Sequence, residues 1–157
     1  MAIQPSTAPQ SPTALGQPRW FFGMLAEVKA SAADTAGQYT LVEVTAPPGL
    51  ESPLHVHYTE DEGFYVLEGN VTIVVGDETV ELAAGQHAFG PRDISHRFTV
   101  GPHGARMIWV LTPGGFENLI EAASVAAKTP TVPPPSVLPP ENVAEILRRH
   151  GNEVLPG

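Results

Sequence analysis

The chain has 157 residues, of which 42% are hydrophobic, and it carries a formal net charge of -9 and no cysteine. This length and apolar content indicate one globular domain with its own core, and the lack of cysteine excludes disulfides and thiolate chemistry. The negative charge argues against nucleic acid or an anionic membrane as partner. We expect a cytoplasmic protein, because the sequence shows neither a signal peptide nor an apolar run long enough to cross a bilayer.

Composition divides the chain into three parts. Residues 1–18 are rich in Pro, Ser, Thr and Gln and show no hydrophobic periodicity, which predicts a disordered N-terminal arm. Residues 19–112 carry strand signals and are expected to form the β domain. Residues 113–157 combine two helical patterns with a connector at 129–140 that holds six prolines in twelve positions and should run extended. We expect this last part to pack on the β domain or on a partner subunit.

Short apolar or alternating runs, separated by turn residues, predict an all-β region. The predicted strands cover residues 20–25, 38–45, 54–57, 63–67, 71–75, 79–82, 86–90, 95–100 and 105–111. Turns are predicted between them, among others at Glu68-Gly69-Asn70, at Gly76-Asp77-Glu78 and at residues 101–104. In the strand at 38–45 the alternation does not decide which face is buried. Many short strands with turns between them are typical of a sandwich or barrel.

Two helices are predicted after the strands. Apolar residues at helical spacing place the first helix near residues 115–127; its stripe consists of Phe116, Leu119, Ile120 and Ala123. A shorter stripe places the second helix near residues 141–150, with Arg148 and Arg149 in its last turn and Gly151 as its end. Neither helix carries an obvious chemical motif.

A pair of histidines is the first chemical signal of the chain. His55 and His57 are two residues apart, so their side chains lie on the same face of a strand. Glu62 follows and can rejoin that face after a short bend, whereas Glu60 and Asp61 are interpreted as a solvated bend. Two imidazoles and a carboxylate at one point suit a divalent transition metal, and these residues leave Fe, Mn, Ni, Co, Cu and Zn open.

The spacing around these residues resembles the first sequence motif of the cupin family. Gly49, His55, His57, Glu62 and Gly69 fit that motif at every fixed position. Three ligands do not usually complete such a metal site, so a fourth ligand is expected elsewhere in the chain.

The second cupin motif is matched at most of its fixed positions. Gly85, Pro91 and His96 fit it, whereas Asp93 stands where a glycine is expected and Val100 where an asparagine is expected. Neither departure affects a metal ligand of the family. The departures bear on turn geometry and pocket lining, and the resemblance implies that His96 is the fourth ligand.

The wider sequence resembles the single-domain quercetin 2,3-dioxygenase-like cupins. The resemblance extends over nearly everything from residue 19 onward and is carried by residues 20–23, 41–49, 61–69, 91–98, 111–117 and 145–156. It implies an all-β cupin double-stranded β-helix, or jelly-roll barrel, with two short C-terminal helices. It also implies a homodimer and a metal held by His55, His57, Glu62 and His96, with Ni, Mn, Fe or Co favoured and Zn or Cu possible.

The resemblance implies a metal-dependent dioxygenase that acts, with O₂, on a flavonol-like or polyketide-derived phenol or enol. Glu62 would then be both a ligand and the base that takes the substrate proton. Two alternatives remain open: an O₂-independent isomerase, cyclase or lyase on an enolisable carbonyl, and a small-ligand-binding cupin without turnover. No nucleic acid or membrane partner is expected.

Several side chains are candidates for the substrate pocket: Tyr58, Phe64, Phe89, Phe98, Trp109 and Arg92. For Arg92, a salt bridge to an acidic neighbour is the competing interpretation. The remaining histidines are expected to lie outside the site: His87 and His103 at the surface, and His150 at the C-terminal end of a helix.

Overall fold

The computed structural model describes residues 16–157, so most of the expected N-terminal arm lies outside the described part, and residues 16–18 form no helix or strand. The described residues contain ten strands and two helices. The strands are β1 (Arg19–Phe21), β2 (Met24–Ala30), β3 (Thr40–Ala46), β4 (His55–His57), β5 (Asp61–Val75), β6 (Glu78–Ala83), β7 (His87–Gly90), β8 (His96–Thr112), β9 (Val125–Ala126) and β10 (Asn152–Val154). The helices are α1 (Phe116–Ala122) and α2 (Val143–Arg149).

Two long strands, β5 and β8, connect two layers of antiparallel sheet. The first half of β5 pairs with the second half of β8, and this layer continues through β3, β2, β1 and β9 on one side and β7 on the other. The second half of β5 pairs with the first half of β8, and this layer continues to β4, β10 and β6. The cupin jelly-roll predicted from the sequence is confirmed, although the pairings among the described residues leave the sheet open.

The predicted turns at Glu68-Gly69-Asn70 and at residues 101–104 are wrong, because both segments lie inside the long strands. The pairing of β5 with β8 shifts its register between Val66 and Glu68 and again between Gly69 and Val71. Such irregularities bend a strand without ending it. Glycine is required here: Gly69 has φ of 80°, and a Cβ on it would lie 2.0 Å from the carbonyl oxygen of Gly104.

The predicted strand at residues 20–25 is instead a hairpin. Phe22 and Gly23 have φ of 47° and 79° and join β1 to β2 as a two-residue loop, with Phe21 paired to Met24. Positive φ at both loop residues is typical of the hairpin turn that matches the strand twist. Gly23 is a turn signal in the sequence, but the uninterrupted apolar run around it favours a single strand.

The core lies between the two layers. Strand β3 alternates strictly, and its buried face carries Thr40, Val42 and Val44, which settles the question that the sequence pattern left open. The largest fully buried side chains include Phe64, Ile73, Met107 and Leu111 from the two long strands. Burying side chains of this size is the main stabilising term of a domain of this size.

Both predicted helices are present, and both are shorter than predicted. Helix α1 buries Phe116, Leu119 and Ile120 against the core and is followed by β9, which pairs with β1. Helix α2 buries Leu147, and β10 follows it to pair with β4. The C-terminal part therefore adds a strand to each sheet layer. No helix among residues 16–157 is long and apolar enough to cross a membrane.

Candidate metal centre

The centre is built where β4 meets the beginning of β8. His55 pairs directly with His96 in the sheet register, and their rings lie 4.4 Å apart. His57 lies two residues after His55, so alternation puts both side chains on one face, and its ring stacks on that of His96 at 5.0 Å. Pairing in the sheet thus brings together His55 and His96, which are 41 residues apart in the chain.

Glu62 completes the cluster from the beginning of β5, which lies in the other sheet layer. It occupies the second position of β5 and alternates inward together with Phe64, so its side chain is only 3% exposed. Its Oε2 lies 3.1 Å from Nε2 of both His57 and His96. One ligand atom from each of the four predicted residues, His55, His57, Glu62 and His96, lies within 4.8 Å of the other three.

Two of the histidines are oriented by their outer ring nitrogens. Nδ1 of His55 lies 2.7 Å from the carbonyl oxygen of Pro53 and Nδ1 of His57 lies 2.7 Å from Oε1 of Glu60. Both partners are acceptors, so each Nδ1 donates its proton outward and Nε2 is the nitrogen left to face a metal. An outer hydrogen bond of this kind fixes the tautomer and the ring orientation of metal-binding histidines.

The sequence-based interpretation of Glu60 as part of a solvated bend is wrong. Glu60 is buried, and it accepts hydrogen bonds from His57, from the hydroxyl of Thr59 and from Nδ2 of Asn152. Burying a carboxylate is costly unless such donors satisfy it. Its neighbour Asp61 is the first residue of β5 rather than part of a bend, and its partly exposed side chain pairs with Arg92.

The electrostatics of the cluster follow from burial and close opposite charges. Burial would lower the pKa of His57, but the Glu62 and Glu60 carboxylates outweigh it and raise this pKa to about 9. Burial and the neighbouring histidines lower the pKa of His55 to about 4. Burial would raise the pKa of Glu62, yet His57 and His96 hold it well below its ordinary value. Near neutral pH the cluster therefore combines an ionised carboxylate with a neutral His55.

The residues fit a divalent transition metal. Among the described residues, Nε2 of His57 is a buried nitrogen without a hydrogen-bond partner, because its contact with Glu62 is close but poorly aligned. Buried polar atoms are normally satisfied, so an unpaired one invites a ligand. Three imidazoles and one carboxylate are the donor set that Fe, Mn, Ni, Co, Cu and Zn accept.

A cavity of about 60 Å³ opens onto the cluster. His55, His57 and Glu62 form its polar end. Of the six predicted pocket residues, Phe64, Phe98 and Trp109 line it. Most of the remaining wall is apolar and comes from segments that were not predicted to belong to the site, namely Phe21, Phe22, Met24, Phe116, Leu119, Leu147 and Val154. Ser52, Pro53, Asn152 and Glu153 also line the cavity.

The other three predicted pocket residues lie outside this cavity. Phe89 alternates with the buried Ala88 and Gly90 of β7, so its ring points outward and is 55% exposed. Tyr58 is also exposed and donates a hydrogen bond to Glu153. Arg92 donates to Asp61 through its backbone and its guanidinium, which confirms the salt-bridge interpretation.

Two polar residues of the centre were missed from the sequence. For Glu60 a signal existed, since it follows His57 by three residues and such a carboxylate can reach the outer nitrogen of a metal-binding histidine. For Asn152 no local signal existed, because its position depends on the pairing of β10 with β4. The remaining histidines behave as predicted: His87 and His103 are exposed, and Nδ1 of His150 bonds the carbonyl oxygen of Ile146.

Known proteins share this architecture. Residues 42–111 match the family model described as cupin domain. Quercetin 2,3-dioxygenase from Bacillus subtilis (strain 168) is 31% identical over 93 residues, which are 59% of this chain and 28% of that protein. Polyketide synthase CurC from Streptomyces cyaneus is 39% identical over 67 residues, 42% of this chain and 44% of that protein. The chain thus spans less than half the length of either curated relative.

A solved structure supports the fold independently. The RmlC-like cupin from Shewanella frigidimarina NCIMB 400 superposes with a TM-score of 0.56 at 20% identity, covering 65% of this chain and 88% of that one. Identity this low shows a shared fold and carries no information about activity. The chain therefore has the cupin jelly-roll fold, its residues 42–111 match the cupin domain model, and its sequence resembles quercetin 2,3-dioxygenases.

Proposed function

We propose that this protein is a metal-dependent dioxygenase that acts, with O₂, on a phenol or enol of flavonol-like or polyketide-derived type. The metal would be held by His55, His57, Glu62 and His96. The observation that carries the proposal is the convergence of these four ligand atoms within 4.8 Å at the polar end of an aromatic-lined cavity. Similarity to quercetin 2,3-dioxygenase and to CurC supports the substrate class.

A divalent metal bound here would supply a Lewis acid that lowers the pKa of a hydroxyl group it contacts. The chain supplies the base. Glu62 is buried beside the two histidines and is ionised, because its pKa is held well below the ordinary value. A carboxylate of low pKa is a weak base, so transfer of a phenol or enol proton to Glu62 depends on the acidifying effect of the metal. Phe64, Phe98 and Trp109 offer apolar surface to the ring of the substrate and exclude water from it.

Cavity size bears on the substrate. About 60 Å³ is well below the roughly 300–1,000 Å³ of pockets that enclose drug-sized ligands. A cavity of this size favours a small phenol or enol, whereas a flavonol-sized ring system requires the cavity to widen. A series of substrates that grows by one ring at a time would show where binding is lost.

Metal content is the first test of the proposal. We expect about one transition-metal ion per chain after expression with Ni, Mn, Fe or Co, and Zn or Cu would also suit the donor set. The His96→Ala variant should lose most of this ion. A wild-type protein that holds no metal under any supply, with the same content as His96→Ala, would overturn the proposed centre.

Oxygen use is the second test. Substrate binding under anaerobic conditions, followed by O₂ uptake when air is admitted, is the expected result. One alternative shares the same base: an ionised Glu62 would also serve an O₂-independent isomerase, cyclase or lyase that acts on an enolisable carbonyl. That reading is favoured if turnover continues unchanged without oxygen.

We also propose that the protein works as a homodimer. Tyr65 and Phe89 are exposed neighbours on the outer face of the β5–β7 pair, 41% and 55% exposed, and a second copy of the chain would cover them. Sedimentation velocity should give twice the monomer mass, and the Phe89→Ser variant should shift the equilibrium toward monomer.

A further inference from the structure

The C-terminal strand reaches the candidate metal centre through one side chain. Asn152, the first residue of β10, pairs with His57 of β4 in the sheet register. Its Nδ2 donates to Oε1 of Glu60 over 3.0 Å, and the same oxygen accepts the hydrogen bond from Nδ1 of His57 over 2.7 Å. Asn152 and Glu60 are 3% and 7% exposed. A buried chain of three residues thus runs from the C-terminal strand to a predicted metal ligand.

The amide of Asn152 suits this position. Its Nδ2 also donates to the carbonyl oxygen of His150 over 2.9 Å, so both neighbours of the nitrogen are acceptors and the orientation of the amide is determined. A cationic side chain would draw the Glu60 carboxylate away from His57, and an apolar one would leave a lone pair of Glu60 unsatisfied in a buried place. A neutral donor holds Glu60 without competing for its charge.

Glu60 is held on both of its oxygens. Oε2 accepts the hydroxyl of Thr59, while Oε1 accepts Asn152 and His57. Without the donor on β10, the carboxylate is free to rotate toward Thr59, and the imidazole then loses the bond that fixes its tautomer and direction. Outer-shell partners of this kind typically change metal affinity by about 10- to 100-fold.

We propose that Asn152 is a positioning residue that orients the metal ligand His57 through Glu60, so that the C-terminal strand β10 forms part of the centre. The inference rests on the proposed metal site. It assigns a role to a segment whose first residue, Asn152, follows Glu62 by 90 residues. This segment lies outside the residues matched by the cupin family model.

The test uses the full chain and Co²⁺, whose visible absorption reports the coordination geometry. We expect Asn152→Leu to weaken Co²⁺ binding about 10-fold and to change the visible spectrum. The matched control is Tyr58→Phe, which removes the other side-chain bond that holds β10, from Tyr58 to Glu153, without touching Glu60. Tyr58→Phe should leave the affinity and the spectrum unchanged. Asn152→Ala serves where the leucine variant fails to fold.

A double-mutant cycle tests whether Asn152 acts through Glu60. If it does, Asn152→Leu adds little to the loss of Co²⁺ affinity caused by Glu60→Gln alone. Additive losses would overturn the route through Glu60. Equal losses for Asn152→Leu and Tyr58→Phe would reduce the role of Asn152 to holding the strand, and so would an unchanged spectrum.

A measurement without metal separates this inference from the proposed centre. In the metal-free protein, the Nδ1 proton of His57 should give a slowly exchanging NMR signal that is lost in Asn152→Leu and kept in Tyr58→Phe. Failure of wild type to bind Co²⁺ would overturn the centre. Normal binding of Co²⁺ by wild type and by Asn152→Leu, with the Nδ1 signal intact in both, would overturn the inference alone.

Discussion

The backbone N–H of Asp93 donates to the carbonyl oxygen of His57 over 2.8 Å, while Asp93 itself has a φ of 68°. Asp93 stands where the second cupin motif has a glycine, and the left-handed conformation explains that preference. The departure therefore leaves the turn intact. Aspartate tolerates this conformation better than most residues, so the turn still reaches the strand that carries the two histidines.

Replacing Asp93 by glycine should stabilise the protein slightly. Relief of the left-handed conformation, worth about 1 kcal/mol, exceeds the extra backbone entropy that glycine loses on folding. Urea denaturation should show a gain of a few tenths of a kcal/mol to about 1 kcal/mol. Asp93→Ala is the control and should give no such gain, because alanine keeps the left-handed strain. Equal stabilities would contradict this account of the turn.

Gly69 and Gly85 provide a matched pair for the bend of the long strands. Their φ values are 80° and 87°. A Cβ added to Gly69 would clash with the backbone of Gly104, whereas a Cβ added to Gly85 would meet nothing within 4 Å. Gly85→Ala should cost about 1 kcal/mol from backbone strain. Gly69→Ala should cost several times more, because backbone must move. Thermal or urea denaturation of the two variants measures the difference, and similar losses would argue against close contact at the bend.

Co²⁺ binding should strengthen as the pH rises toward about 9. The pKa of His57 in the metal-free protein is raised to about 9, since Glu62 and Glu60 outweigh the effect of burial. The ion must displace this proton, so affinity should rise about tenfold per pH unit below that pKa and level off above it. His55, with a pKa of about 4, contributes no proton near neutrality.

Calorimetry in buffers of different ionisation enthalpy measures the protons released. About one proton per ion is expected near neutral pH, falling toward zero above pH 9 or so. Glu60→Gln should move the midpoint of this dependence to lower pH, because His57 loses one of the carboxylates that raise its pKa. A binding constant that does not change between neutral pH and that value would show that His57 is not a ligand.

Two phenylalanines test which aromatic side chains face the cavity. Phe98 lines the cavity and is 3% exposed, whereas Phe89 is 55% exposed. Phe98→Ala should lower the free energy of unfolding by about 3 kcal/mol or more and weaken substrate binding. Phe89→Ala should stay within about 0.5 kcal/mol in monomeric protein. A larger loss for Phe89→Ala would place its ring in the core.

Removing a bound metal should lower the thermal stability. A ligand present at 100 times its Kd stabilises the folded state by about 2.7 kcal/mol. A chelator should therefore reduce the Tm of wild type by several degrees and leave that of His96→Ala nearly unchanged. An equal reduction in both proteins would mean that the chelator acts elsewhere.

Much of the fold was predictable from local pattern. Alternation in β3 and tight turn residues between β5 and β6 identify strands because side chains alternate across a pleat and hairpins need particular residues. The spacing from His55 to Glu62 predicted that three ligands share a face. Local pattern could not distinguish a turn that ends a strand from a bend within it, because a glycine such as Gly69 suits both. Only the pairing with the partner strand shows that β5 continues through Gly69.

The sequence by itself determined the four candidate ligands, the jelly-roll and the two C-terminal helices, because each depends on spacing over a few residues or on a recognisable motif. Tertiary structure alone decided that Glu60 is buried and bound to His57, that Asn152 holds Glu60, and that Phe89 points away from the cavity. These facts depend on which strands pair and on what lies between two sheet layers. Contacts of that kind join residues far apart in the chain, where no local pattern records them.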